Sequence, residues 1–448
     1  MKKIILVSII AIVAVILVIS VLAIYLSMEA KRIADAKALE EKLLAEAEAE
    51  AEAKALAEQK AAEEKIRCST ITESAILSGC DLSGMDLRGK NFSNSDLTGA
   101  NLSGANLIEA VLTAVDFTDA NLSGANLSYA NLKDTVFTNT NLDGAIFVEL
   151  NLSGTNLTGT SFNNVNLSGA ILSGADFTDA TFTGADLTDA DLTGASMHNA
   201  DLVGANISGA NFYNADLTGA NLSSVNFDNI RFENTNLTNA ILVGADLSRV
   251  DFTGAILTGA NLSGANLTGL DLNNLNLTGA NLSGANLTGA TLTGATLVNA
   301  DLSNADLTNA NIIGTNLHNS NLSGMNLDNQ NLENTILTNA NLSGVNLTGV
   351  NFRDQDLSGA NLSGANLTGV NLTGVILVGT DLTNANLTGA ILISADLTNA
   401  NLSGANLKGA DIRGMHITGA NLSGAVFDGC IGEARGTPTG NMPICKVL

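Results

Sequence analysis

Ala100-Asn101-Leu102-Ser103-Gly104 is one copy of the five-residue pattern that decides the fold, A-(N/D)-L-(S/T)-G. Working outward from Leu102, every fifth residue from Leu77 to Phe427 is Leu, Phe, Ile or Met, 71 positions in unbroken phase. All 13 Phe belong to this series, with 53 Leu, Met197, Ile207, Ile312, Ile412 and Ile417. Asn stands just before the centre 35 times and Asp 18 times. Ala is the usual residue two before the centre, and Gly or Asn the usual residue two after it. A period of five matches neither the 3.6 of a helix nor the 2 of a strand. One large and one small apolar residue per five, followed by Gly or Asn, describe a short extended side closed by a turn. A chain that turns every five residues must coil, and each coil buries its apolar residues against its neighbours.

In these residues the chain resembles the pentapeptide-repeat proteins, over residues 75–429. The resemblance implies an all-β solenoid: a right-handed quadrilateral β-helix of about 71 pentapeptide repeats, four to a coil. Nearly 18 coils stacked at ~4.8 Å give a rod roughly 85 Å long. No insertion interrupts the repeats, and inserted loops are where function usually sits. A twenty-residue coil places Phe212, Phe232 and Phe252 in one inward column. It places Ile336 and Ile376 on an outer face with Ile76, Val136 and Ile256, and it stacks Asn on Asn, which can both donate and accept.

The ends differ from the repeats. Residues 4–26 carry no charge, long enough at 1.5 Å per residue to cross a ~30 Å hydrocarbon core. A cleaved signal peptide is the rival, but its apolar run would be shorter and Tyr25-Leu26-Ser27-Met28 offers no small-x-small site. Residues 29–66 are mainly Ala, Glu and Lys, strong helix formers. They read as a charged α-helical stalk, with a weak coiled coil as alternative, because Ile33, Leu39, Leu43, Leu44 and Leu56 are too sparse for heptads. The expected domains are a transmembrane anchor (1–28), the stalk (29–66), the β-helix (67–429) and a cap or tail (430–448). Gly432, Gly436, Pro438, Gly440 and Pro443 make that tail an irregular cap. Cys68 and Cys80 flank the start of the solenoid, and Cys430 and Cys445 its end. They are candidate cap-pinning disulfides, against four reduced thiols. Lys2 and Lys3 against Lys31, Arg32 and Lys37 leave the anchor's orientation nearly balanced. The cysteines tip the rod toward an extracytoplasmic side of a single-pass membrane protein, and the resemblance points to a bacterial source.

Charge limits the functions. The sequence has 20 Lys+Arg against 44 Asp+Glu, a net charge of −24, which argues against direct nucleic acid binding. Gly84-Met85-Asp86-Leu87-Arg88-Gly89-Lys90-Asn91 imitates a phosphate loop. The repeat itself supplies its glycine spacing, and Asn91 replaces the magnesium-binding Ser/Thr. His198 and His318 share a face six coils apart and His416 lies on another column, too far apart for a zinc site. Asp96/Asp116 and Asp251/Asp271 are stacked pairs that read as solvated charge. No catalytic, cofactor-binding or metal-binding residue is expected. The leading reading is a membrane-tethered scaffold presenting an acidic rod to an unidentified protein. One alternative follows from relatives that mimic duplex DNA: inhibition or protection of a DNA-binding enzyme such as DNA gyrase. A second is a ligand-binding lattice for ice or carbohydrate, with Ser and Thr alternating too irregularly to give a flat Thr-only face.

Overall fold

The computed structural model describes residues 2–147, 150–440 and 445, with side chains from residue 5 onward. Pro443 lies outside the described residues, as do the side chains of Lys2 and Lys3. The chain forms two compact units, Met1–Thr70 and Ile71–Leu448.

The first unit is one continuous helix, α1 (Lys2–Ser69), of 68 residues. It is about 102 Å long at 1.5 Å per residue. Its apolar stretch runs into the Ala/Glu/Lys stretch without a break, and its N-terminal part is long and apolar enough to cross a membrane. The charged half is held by local pairs such as Lys42–Glu46 at 3.7 Å and Gln59 to Glu63 at 2.9 Å. The helix ends at Ser69 rather than at residue 66. The Ser69 and Thr70 hydroxyls both donate to the Ile66 carbonyl, at 2.9 and 2.8 Å, satisfying a group that would otherwise be orphaned at a helix C-terminus. Arg67 stands in that last turn, where the helix dipole favours a cation.

The second unit is a solenoid in which residue i pairs in parallel with residue i+20, from Ile76↔Asp96 to Asn401↔Asn421. Four sides therefore make a coil. We number them by their bridge residues: first side Ile76, Asp96, Asp116 and onward; second Asp81, Asn101, Asn121; third Asp86, Asn106, Asn126; fourth Asn91, Val111, Asn131.

One repeat accounts for all five of its backbone N–H groups. Asn101 N–H donates to Cys80 O at 2.9 Å, Leu102 to Asn121 O at 2.7 Å and Gly104 to Ser123 O at 2.8 Å. Ala105 N–H closes the turn on Leu102 O at 2.9 Å. Ser103 N–H has no ladder partner, and the Asn101 side-chain oxygen accepts it at 3.2 Å. This last bond explains the Asn/Asp preference: only a short side chain with an oxygen reaches two residues ahead. Gly104 sits at φ 65°, the positive φ that a turn of this type requires at its third residue. The centres and their small neighbours, such as Leu102 and Ala105, are fully buried.

The inner small slot also takes polar residues at no loss. Thr140 donates to Phe117 O at 2.8 Å, Thr235 to Phe212 O at 2.8 Å and Thr380 to Leu357 O at 3.0 Å. Each uses the free lone pair of a centre's carbonyl one coil earlier. Gln330 and Gln355 do the same with their amide N–H, but Gln355 Oε1 is buried without a partner.

Over residues 430–440 the described part of the tail is not irregular. Ile431 pairs with Asp411, Arg435 with His416 and Thr439 with Asn421, so the coil continues past Phe427 with a four-residue step. The sequence I-G-x-x, R-G-x-x, T-G-x-x puts glycine directly after each bridge residue, where Leu stood before. A Cβ on Gly432 would meet the Arg413 backbone at 3.0 Å and one on Gly436 the Thr418 backbone at 2.8 Å. The last coil lies too close on its predecessor for any side chain, which is why it reads as a glycine-rich tail. Cys430 is buried and joined to Cys445, with Cα atoms 4.8 Å apart.

Candidate interaction surface

Each outer side shows two residues per repeat, one before and one after the inward centre. On the second side Asn341 donates to Asn321, 2.9 Å away, Asn361 to Asn341 at 3.1 Å and Asn421 to Asn401 at 3.0 Å. On the third, Asn346 donates to Asn326 at 2.9 Å and Asn366 to Asn346 at 3.2 Å. Amide ladders therefore tie coil to coil outside the backbone.

Several aspartates carry lowered carboxyl pKa values. The Arg413 guanidinium, 2.6 Å away, holds Asp411 below the usual 3.8, and Arg88 does the same to Asp86 at 2.8 Å. For Asp246, Asp251 and Asp306 the main cause is the hydroxyl two residues on, at Ser248, Thr253 and Thr308, with the backbone N–H of the same residue next. These carboxylates serve turns.

Phe212, Phe232 and Phe252 lie in one column with ring centres 5.5 and 5.8 Å apart. Phe117–Phe137 (5.4 Å) and Phe162–Phe182 (5.1 Å) form similar columns that the sequence reading did not single out, although the twenty-residue interval contains them. Cys68 and Cys80 are both disulfide-bonded, and among the described residues no cysteine is free. Asp96 and Asp116 bridge directly, whereas no bridge joins Asp251 to Asp271 among the described residues. Gly84 and Gly89 are corner glycines at φ 62° and Lys90 points to solvent, so the apparent phosphate loop is two ordinary corners. His318 Nδ1 lies 2.7 Å from the Thr338 hydroxyl, and among the described residues no three metal-ligating side chains meet.

Sorting hydroxyls by side corrects the expectation of irregular alternation. Thr98, Thr118, Thr138, Thr158 and Thr178 are in register on the first side, and Ser263 to Ser363 in register on the second. Some of these hydroxyls are already engaged, as Thr118 and Thr178 donate to Asp116 and Asp176 at 2.6 Å.

Among the described residues the i to i+20 bridging lapses in three places: between Asn131 and Asn166, in mid-rod, and between Asp306 and Asp356. The bridges missing in mid-rod, among the described residues, are Asn226–Asp246 and Asp251–Asp271. Inside the fourth side, Ile230, Val250 and Leu270 fill three successive slots of the column that Ala210 and Ala290 continue. Phe227 packs 6.3 Å from Phe232 beside them. Bulky side chains thus fill successive slots that alanine fills in most coils. A cleft of about 530 Å³ opens there, lined by Gly209, Ala210, Asn211, Tyr213, Asn229, Arg231 and Glu233.

The profile of the pentapeptide repeats family matches from residue 75 to residue 431 in overlapping stretches, leaving only residues 114–115 and 355 unmatched. This chain belongs to that family, whose fold is a right-handed β-helix. Among solved structures it is similar to HetL, a pentapeptide repeat protein involved in heterocyst differentiation regulation in the cyanobacterium Nostoc. Identity is 29%, over 59% of this chain and 89% of HetL, with a TM-score of 0.27. It is similar to a pentapeptide repeat protein of the Arabidopsis thaliana thylakoid lumen at 34% identity, over 26% of this chain and 67% of that one, TM-score 0.17. QnrB1, a plasmid-mediated fluoroquinolone resistance protein, is 23% identical over 45% of this chain and 91% of its own, TM-score 0.20. No curated protein matches.

Proposed function

We propose that the protein is a non-enzymatic scaffold, tethered to a membrane by the N-terminal part of α1, with residues 29–66 as a stalk. Its solenoid presents a long acidic surface to a protein partner on the extracytoplasmic side. The observation that carries this reading is the constant twenty-residue register from Ile76 to Asn421, in which the backbone of one coil bonds to the next. Such a surface is rigid and repetitive, suited to docking and spacing. The apolar half of α1 supports the tether: Ile5–Tyr25 exposes every large side chain described. The reading also takes Cys68 with Cys80, and Cys430 with Cys445, as disulfides closing the two ends. The tether is tested by alkaline washing of membranes. The full chain stays in the pellet and a chain beginning at residue 29 is released; release of both sinks the tether.

A second reading rests on acidity. Between Lys133 and Arg231 there are 11 Asp/Glu and no Lys or Arg. A rod of that charge could occupy a DNA-binding enzyme such as gyrase in place of DNA. A supercoiling assay with and without the rod decides it, and unaltered supercoiling removes the idea. The lattice reading, ice or carbohydrate, rests on the in-register Thr and Ser ladders and is dismissed by an absence of thermal hysteresis and of glycan binding.

A further inference from the structure

The cations of the solenoid are not spread around it. Of its nine described Lys and Arg, Lys133, Arg231, Arg353 and Arg413 stand on the fourth side. Arg249 stands at the corner leading into it, Lys90 in the slot just past that corner, and Arg88 and Lys408 at the third-side position bordering the corner. All eight are exposed. Only Arg435, in the tail, lies on another side. The second side has none, and the first has none before the tail. Acidic residues, by contrast, occur on every side, as Asp96, Asp201, Asp186 and Asp191 show for the first to the fourth. Neutralising an acidic rod would not need its cations in one line.

Three further observations fall on the same strip. Both tyrosines of the solenoid are there, Tyr129 at the corner and Tyr213 on the side, both exposed. Corner positions elsewhere hold Gly, Asn, Asp, Ser or Ala, but this one also holds Glu109, Tyr129 and Arg249. Tyr129 adopts φ 60° and Glu109 φ 58°, a conformation that disfavours large side chains. Strain of that kind persists where something other than folding selects the residue. The mid-rod cleft also opens on this strip, with Tyr213, Arg231 and Glu233 at its rim.

We propose that this strip, the fourth side with its leading corner, is the face that meets the partner, and that the partner is a folded protein with a mixed-charge surface led by a basic anchor residue. The proposal rests on the scaffold reading above. Polyanions do not fit, because Asp189, Asp191, Glu233, Asp251 and Asp271 lie among the cations. A membrane surface does not fit either, since exposed aliphatics on this side, such as Ile171 and Ile391, are isolated from each other. Alternating charge with Tyr and Arg is the composition of protein interfaces. The cleft places an aromatic, a cation and a carboxylate together in Tyr213, Arg231 and Glu233, with Asp251 against Glu233 one coil on. Of the cations toward the two ends, Arg88 and Arg413 already pair with Asp86 and Asp411, leaving Lys90 and Lys408 to meet acids flanking the anchor. The second side, neutral over long stretches and locked in amide ladders, would remain free.

The test uses the full-length chain in its native cells, with a photo-crosslinking residue replacing Tyr213, Thr253 or Arg353 on the strip, or Ser263 or Ser343 on the second side. One common adduct from the three strip positions, at least tenfold weaker from the second side, is expected. Arg231→Glu with Glu233→Arg should reduce that adduct at least tenfold while leaving thermal unfolding unchanged. Equal adducts from both sides, or an adduct indifferent to the charge exchange, overturns the strip and leaves the scaffold standing. No adduct from any position overturns the scaffold reading itself.

Discussion

At the scale of the residue, each of the five positions has a separate physical task, so substitutions should sort by position. Leu262 is 1% exposed, and Leu262→Asp should cost about 3 kcal/mol or more by burying an unpaired charge. Ser263→Asp should stay within about 0.5 kcal/mol. Thermal unfolding of the two variants checks this, and equal melting contradicts the inward and outward assignment. Gln355→Ala should stabilise by about 1 kcal/mol, because it removes an orphaned carbonyl from a slot that alanine fills in most coils. Asp306 gives a pH test. Its folded carboxyl lies below 3.8 through bonds from Thr308 and then Thr288. A depressed carboxyl adds stability that is present above its unfolded pKa and lost as pH falls through the lower folded value. Melting of the native chain should therefore drop below about pH 4, and Asp306→Asn, which keeps an accepting oxygen, should melt alike at pH 7 and lose less in acid. An identical acid response in the two chains contradicts the role given to that carboxylate.

At the scale of the element, the helix and the coil were legible because their periods are long and unbroken. The inward Phe212–Phe232–Phe252 column follows from the twenty-residue interval alone. The tail was misjudged because its period changes from five to four and its apolar centre vanishes, so the cue that revealed the coil was gone. Spacing of Gly432, Gly436 and Gly440 at intervals of four was the remaining signal. The helix end was misplaced by three residues because hydroxyl caps at Ser69 and Thr70 leave no mark in apolar periodicity. The mid-rod cleft was invisible for a different reason: Ile230, Val250 and Leu270 become neighbours only after the sequence is wound. The tail yields a prediction of its own. Gly436→Ala combines a φ of 108° with backbone contact at 2.8 Å, whereas Gly264→Ala has open space around its Cβ at φ 65°. The first should loosen the last coil and raise hydrogen exchange at Arg435 and Thr439, whose N–H groups donate to the Met415 and Ala420 carbonyls. The second should cost only about 1 kcal/mol of turn strain. Similar exchange in both variants would contradict the closing role of the tail.

At the scale of the whole molecule, an apolar helical segment, a charged helical segment and a coiled acidic unit follow one another in a single chain. Nearest-neighbour stacking makes the solenoid's stability a sum over coils, with its two ends the points where unfolding begins. Reduction of the cysteines should therefore lower the melting of the terminal coils first and increase association through exposed strand edges. An unchanged melting profile and monomer fraction after reduction would remove the disulfides from the account. The tether and the side of the membrane on which the rod lies decide which partners can reach it. The most direct measurement is protease access to a C-terminal tag on the full chain, in intact spheroplasts and after lysis. Cleavage in intact spheroplasts is the predicted result and places the rod outside the cytoplasm. Protection until lysis would contradict it and put the acidic rod beside the chromosome.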